Sequence, residues 1–296
     1  MNAIEIESRA DLAFANAEAQ TVFSLLKAGP VNGGFDLGGP LDGTQLFLSP
    51  EGGVKYKDFW SLEGETRRAF TPQGDVQVTL QDVSGLVNLN LAPPEEISPL
   101  LIYLGLSKDK AADLAAKLVD YRDSDNSRQF RGAERADYRL RQLPAPTNLP
   151  LRNYNELHNI YDWPDALQGL DIISLKRFTT LSQSSTYMNM TFAPPLLRQI
   201  YTEQDNATAG SSSADVFSLL VSQALTPSDR IRVTFRYIST EGVLREKAID
   251  IERRESDPAK PFRRYVIYET VRQNFNPETD WLSSTELKNV VYAQSN

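Results

Sequence analysis

Two runs of strict alternation, far apart in the chain and separated by sequence of a different texture, constrain this protein more than any other feature. In the first, Val76, Val78 and Leu80 alternate with Gln77 and Thr79; in the second, Ile231, Val233, Phe235 and Tyr237 alternate with Arg232, Thr234 and Arg236. Successive side chains of a strand point to opposite faces, so each run reads as a half-buried strand. Glu241-Gly242 then offers turn chemistry before a further strand region around Ile249 and Ile251, and Tyr265 to Tyr268 make a third. Between residues 88 and 225 the pattern is instead helical and punctuated by Pro. Ala111, Leu114, Ala115, Leu118 and Val119 follow the i, i+3, i+4, i+7, i+8 spacing of one helix face, with Ser107 placed as the N-cap. A strand needs a partner, and the helical block offers none. The strands near Val76–Leu80 and Ile231–Tyr237 are therefore expected in one sheet, with the block inserted between them.

Ahead of the first strand, Asn2 to Ala28 contains no Gly or Pro, is rich in Ala, Leu and Glu, and is stopped by Gly29-Pro30. It reads as one long helix. Ala10, Phe14, Ala17, Thr21 and Leu25 recur at three- and four-residue steps and give it one buried face. Residues 29–53 carry Gly33-Gly34, Gly38-Gly39-Pro40 and Gly52-Gly53 and are expected to be an irregular loop. The expected class is α+β: a long N-terminal helix on a small antiparallel sheet, built from residues 1–85 and 226–296, with residues 86–225 as a large all-helical inserted domain.

Composition narrows the function. A chain of 296 residues that is 41% hydrophobic can bury two modest cores. Its net charge of −8 and pI near 4.9 argue against a phosphate backbone as partner, since nucleic-acid binding relies on clustered Lys and Arg. No cysteine is present, which removes disulfides, thiolate nucleophiles and Cys-ligated metals and is compatible with an oxidising periplasm. His158 is the one histidine, placed after Asn155-Glu156-Leu157 in an expected helix, and neither a G-x-S-x-G elbow nor an H-E-x-x-H pair accompanies it. The chain reads as a non-enzyme, a carboxylate-dependent hydrolase being the catalytic alternative. No apolar run reaches the ~20 residues of a membrane span, and the start MNAIEIESRAD lacks the features of a signal peptide.

Three motifs stand out. Val87-Asn88-Leu89-Asn90-Leu91-Ala92-Pro93-Pro94 is echoed by Met188-Asn189-Met190-Thr191-Phe192-Ala193-Pro194-Pro195. Asn side chains can bond local backbone in a turn and Pro suits a first helical turn, so both copies read as connectors framing the helical block. Secondly, Asp123, Asp125, Ser127 and Glu134 fall at positions 1, 3, 5 and 12 of a calcium loop. Arg128 occupies the sixth position, where an EF-hand needs Gly, and the residues after Glu134 do not read as a second EF helix, so calcium would be held in a non-EF geometry. The competing reading is a solvated acidic helix end neutralised by Arg122, Arg128 or Arg131. Thirdly, Leu104-Gly105-Leu106-Ser107-Lys108-Asp109-Lys110 looks like half of a helix-hairpin-helix, and Ile160-Tyr161-Asp162-Trp163-Pro164 holds a comparable place without the hairpin glycine. Such hairpins can bind nucleic acid, which is the alternative binding function, although acidic surroundings favour a scaffold.

The order Gly85-Leu86-Val87-Asn88-Leu89-Asn90, Leu104-Gly105-Leu106, Asp120-Tyr121-Arg122-Asp123-Ser124-Asp125, Gly132-Ala133-Glu134 with Tyr138, Asn155-Glu156-Leu157 and Asn189 to Pro195 resembles general secretion pathway protein K, the large minor pseudopilin of type II secretion. The resemblance runs from about Ile4 to Tyr268. It implies a pseudopilin fold with a helical domain between strands and a structural role at the pseudopilus tip. Partners would be two other minor pseudopilins, the major pseudopilin and exported proteins, with no nucleic acid. It also implies an inner-membrane anchor through an N-terminal helical segment that this chain lacks, as after N-terminal trimming, and places the soluble region in the periplasm. Calcium-binding acidic residues belong to the same picture, with Asp123, Asp125 and Glu134 as the matching group. A pilin-like helix presents apolar residues on more than one face, which makes Phe14, Val22 and Phe23 the expected partner-binding residues. Thr191 in place of a second Asn, and Asp162-Trp163-Pro164 in place of a glycine turn, depart from the family pattern.

Overall fold

The computed structural model describes residues 3–37, 58–182, 187–208, 225–239, 242–254 and 262–272. In chain order the elements are α1 (Ala3–Lys27), β1 (Gly29–Val31), β2 (Gly34–Asp36), β3 (Phe59–Ser61), β4 (Glu63–Thr71), β5 (Gly74–Asp82), β6 (Val87–Asn88), α2 (Pro94–Tyr103), α3 (Lys108–Arg122), α4 (Arg135–Leu140), α5 (Trp163–Leu167), α6 (Ile172–Phe178), β7 (Thr179–Thr180), α7 (Pro195–Thr208), β8 (Arg230–Ile238), β9 (Leu244–Arg253) and β10 (Phe262–Arg272). They divide into two compact units, Met1–Val83 with Ala224–Asn296, and Ser84–Gln223. These limits fall two residues before the expected 85/86 and 225/226 boundaries. The mixed helix and antiparallel sheet make the chain α+β.

In the discontinuous unit, β10-β9-β8-β5-β4 form one antiparallel sheet. The two alternating runs are direct neighbours: Val78 sits opposite Phe235 and Leu80 opposite Val233. All four side chains are buried, because a shared register puts the apolar set of both strands on one face. Helix α1 lies on that face over β4, β5 and β8. Ala10, Ala13 and Ala17 bring its backbone close, and Phe14 fills the gap with its ring centroid 6.3 Å from that of Phe235. Charge fixes its outer edge, where Asp11 meets Arg245 at 2.8 Å and Glu18 meets Arg264. Away from these, the polar positions of β8 pair across the ladder with β9, Arg232 with Asp250 at 2.7 Å and Arg230 with Glu252 at 2.8 Å.

The glycine-rich segment is more ordered at its start than expected. Residues 29–36 form the β1–β2 hairpin around Asn32-Gly33, with Gly33 at φ +83°, and β3 completes a three-stranded sheet. Asn-Gly is a strong hairpin signal, and Gly34 is required by space, since a Cβ there would lie 2.2 Å from the Trp60 carbonyl oxygen. Residues 38–57 lie outside the described residues, as does Glu241 of the expected turn, whereas Gly242 adopts φ +74°.

Among its described residues the inserted unit is mainly helical, with the short parallel pair β6–β7 beside the helices. Its repeated motif behaves as a connector: Asn88 Oδ1 accepts from Asn90 N–H at 2.9 Å and Asn189 Oδ1 from Thr191 N–H at 3.0 Å. Each copy then enters a helix at its second proline, Pro94 of α2 and Pro195 of α7. Helices α2 and α3 form a hairpin through Gly105 at φ +102°, and Ser107 Oγ accepts from Lys110 N–H to cap α3. His158 stands exposed at the end of a 3-10 turn, Tyr154–Asn159, where a helix was expected; Asn153 and Glu156 close that turn by reciprocal caps. No helix among the described residues is long and apolar enough to cross a membrane.

Candidate metal centre

Helix α3 ends where Asp123 leaves the helical conformation at φ −72°, ψ 165°, its N–H still bonded to Val119 O. The chain then turns back toward the start of α4. Asp125 Oδ1 accepts from Ser127 N–H at 2.6 Å, and the reversal falls at Arg131, which takes a left-handed φ of +69°. The sharp turn therefore comes later than the sixth position of an EF-hand loop, which explains why Arg128 is tolerated there. Glu134 is the N-cap of α4 in a capping box: its Oε2 accepts from Arg135 N–H, and Asp137 Oδ2 accepts from Glu134 N–H at 2.9 Å. The segment after Glu134 is thus one short helix, too short for the second helix of an EF-hand. Helix α4 is short, and its six residues carry too little periodicity to be legible.

This path brings the three expected carboxylates together. Asp123, Asp125 and Glu134 each offer an oxygen within 4.8 Å of the others. Glu134 is 5% exposed and its Oε1 has no hydrogen-bond partner; Asp123 Oδ1 is likewise buried and unpartnered. Burial, and after it the neighbouring Asp125 charge, raise the Asp123 carboxyl above its ordinary value. Burial also raises Glu134, against a lowering hydrogen bond from Arg135 N–H, with the negative charges of Asp120, Asp123 and Asp125 adding to the rise.

The arginines expected to neutralise the cluster are engaged elsewhere. Arg122 donates to the carbonyl oxygens of Leu89, at 2.6 Å, and Ala92. Arg128 pairs with Asp137 at 3.3 Å, and Arg131 bridges Asp109 and Asp113, both at 2.9 Å. Among the described residues no ion pair reaches Asp123, Asp125 or Glu134. Converging carboxylate oxygens that no cationic side chain bonds suit a hard cation that takes oxygen ligands, such as calcium.

Sequence reasoning passed over two groups that shape this loop. Asn148 donates its N–H to Tyr121 O at 3.1 Å and its side-chain amide to Asp125 O, at a left-handed φ of +50° for which a lone Asn is a weak signal. Asp120 is fully buried beneath the loop; burial lifts its carboxyl to about 6 despite hydrogen bonds from Gln129 and Ala133 N–H.

The partner-binding expectation divides. Phe14 is 1% exposed and packs on Phe235 within its own unit, so it is removed from the partner face; it shares the helix face of Ala10 and Ala17. Val22 is half-buried, while Phe23 is 57% exposed. Leu12 and Leu26, unnamed in the sequence reading, are exposed beside it in helical spacing and complete an apolar stripe away from the sheet.

Residues 81–169, from the end of β5 through α5 and with the carboxylate cluster at their centre, match the family of the type II secretion system (T2SS), protein K. Over this stretch the chain is similar to that family. Comparison with curated proteins finds no match. Among solved structures, the crystal structure of the GspK-GspI-GspJ complex from the enterotoxigenic Escherichia coli type 2 secretion system is similar at 16% identity. That match covers 92% of this chain and 100% of the other, with a TM-score of 0.48.

Proposed function

We propose that this protein is a structural minor pseudopilin at the tip of the type II secretion pseudopilus. It would assemble there with two other minor pseudopilins above the major one, supporting protein export without catalysing a reaction. The observation that carries this reading is the protein K match over residues 81–169. Location in the inner membrane, through a segment ahead of α1, with both described units in the periplasm, belongs to the same proposal.

The apolar stripe Leu12, Phe23 and Leu26 supplies the assembly surface, since exposed apolar side chains in helical register suit a partner helix. The test is co-expression with the two smaller minor pseudopilins. Phe23→Asp is expected to abolish co-purification while leaving the circular-dichroism melt of the isolated chain unchanged; undiminished association would overturn the assignment of this face.

Calcium is the proposed ion, held by Asp123, Asp125 and Glu134. It would neutralise carboxylates that otherwise repel one another and tie the end of α3 to the start of α4. Magnesium, with its demand for tight octahedral geometry, should substitute poorly.

A further inference from the structure

Two backbone N–H groups of the 123–134 loop converge on one residue of α3 that is not among the converging ligands. Asp120, in the last turn of α3, is 0% exposed, and its two carboxylate oxygens accept from Gln129 N–H at 3.2 and 3.3 Å. Ala133 N–H also donates to it. Between those two donors lies Gly132, whose N–H closes a turn onto Gln129 O at 2.9 Å. A Cβ at position 132 would lie 1.9 Å from Asp120 Oδ2 and 2.6 Å from its Cγ. Gly132 is absent from the residues of positive φ, so glycine is required here for space and not for backbone freedom. A buried carboxylate that takes two backbone N–H groups makes strong, directional bonds, whereas a side chain at 132 would push it out.

We infer that Asp120, seated against Gly132, is the positioning residue of the ion site: it fixes the return of the loop so that Glu134 arrives beside Asp123 and Asp125. The inference rests on the calcium reading given above. Its independent support is the buried Glu134 Oε1, which remains without a partner once the loop is closed. Asn at 120 keeps the shape but offers one acceptor oxygen in place of two, leaving Gln129 or Ala133 N–H facing an amide that also donates. Ala at 132 attacks the same contact from the other side with all four carboxylates in place. Outer-shell partners of this kind are typically worth about ten- to a hundredfold in metal affinity.

The experiment is calorimetric titration of the chelator-treated full chain with calcium chloride, run on the wild type, Asp120→Asn, Gly132→Ala and, as the ligand control, Asp125→Ala, with thermal melts in chelator beside each. The expected result is saturable binding by the wild type, binding at least tenfold weaker by Asp120→Asn and Gly132→Ala, and none measurable for Asp125→Ala. A variant that melts cooperatively only at millimolar calcium reports the same weakened affinity. Wild-type affinity in both variants, with or without a lower melting temperature in chelator, would reduce Asp120 to a purely structural role and overturn the inference. No saturable uptake by the wild type up to millimolar calcium would overturn the calcium reading itself, and this inference with it.

Discussion

Two buried carboxylates of the inserted unit, Glu134 and Glu96, are treated differently. Glu134 converges with Asp123 and the exposed Asp125, and buried oxygens of Glu134 and Asp123 have no hydrogen-bond partner. An ion that binds only the folded state stabilises it by about 2.7 kcal/mol at a hundredfold excess over Kd. Calcium should therefore raise the melting temperature of the wild type, magnesium less so, and Asp125→Ala should lose most of the calcium effect in a thermal melt. Glu96, in α2, is 2% exposed, with Oε1 unpartnered. Burial pushes its carboxyl up from 4.5 to about 8, against the lowering effects of a hydrogen bond from Met188 N–H and of the Arg122 charge. Between those values the folded chain holds a proton that the unfolded chain has released, so stability falls as pH rises from 4.5 to about 8. Glu96→Gln should flatten this decline and be more stable than wild type at the alkaline end by about 1 kcal/mol or more. Melts from pH 5 to 9 check it, and a slope identical to the wild type would contradict the buried-acid account.

Helix α1 is amphipathic in an unequal way. Its sheet-facing side is mostly alanine with a single large ring, so Phe14 carries much of the packing against β8. Phe14→Ala should cost about 3 kcal/mol or more in chemical denaturation, as expected for a buried aromatic. Leu12→Asp, on the opposite face, should leave that midpoint nearly unchanged and weaken co-purification with the smaller pseudopilins. The pair of measurements separates a core residue from a surface one on the same helix. Periodicity had already located the buried face of α1, because Ala10, Phe14, Ala17 and Leu25 are spaced for it. The sequence nonetheless also groups Phe14 with Phe23 as partner-binding, and the position of the sheet decides between them, covering Phe14 and leaving Phe23 exposed.

At the scale of the whole molecule, the insert leaves and re-enters at adjacent points of one sheet. Asp82 ends β5 opposite Ile231 of β8, and its carboxylate accepts from Ser228 N–H at 2.6 Å and Ser228 Oγ–H at 2.7 Å. The gap to be bridged is that of a hairpin. Replacing Ser84–Gln223 by a short Gly/Ser linker should thus leave a discontinuous unit that melts cooperatively with β-rich circular dichroism, because loop length adds only slowly to closure entropy. A linker variant that fails to melt cooperatively would mean that the sheet depends on the insert.

The sequence by itself determined the α+β class, the long first helix, the partnership of β5 with β8 and the three converging carboxylates. Each rests on local spacing: a period of two, a period near three and a half, or ligand positions within a dozen residues. Only the tertiary structure decided which acids and arginines meet. Arg122, Arg128 and Arg131 all lie nearer Asp123 in sequence than Glu134 does, yet their guanidiniums reach the 89–92 turn, Asp137 and the 109–113 stretch. Likewise nothing in the spacing singled out Asp120 or required glycine at position 132, because both follow from a close approach of loop to helix. Long flexible side chains choose partners by where the folded backbone leaves a carbonyl or carboxylate within reach, and that is a property of three-dimensional packing that no one-dimensional period carries.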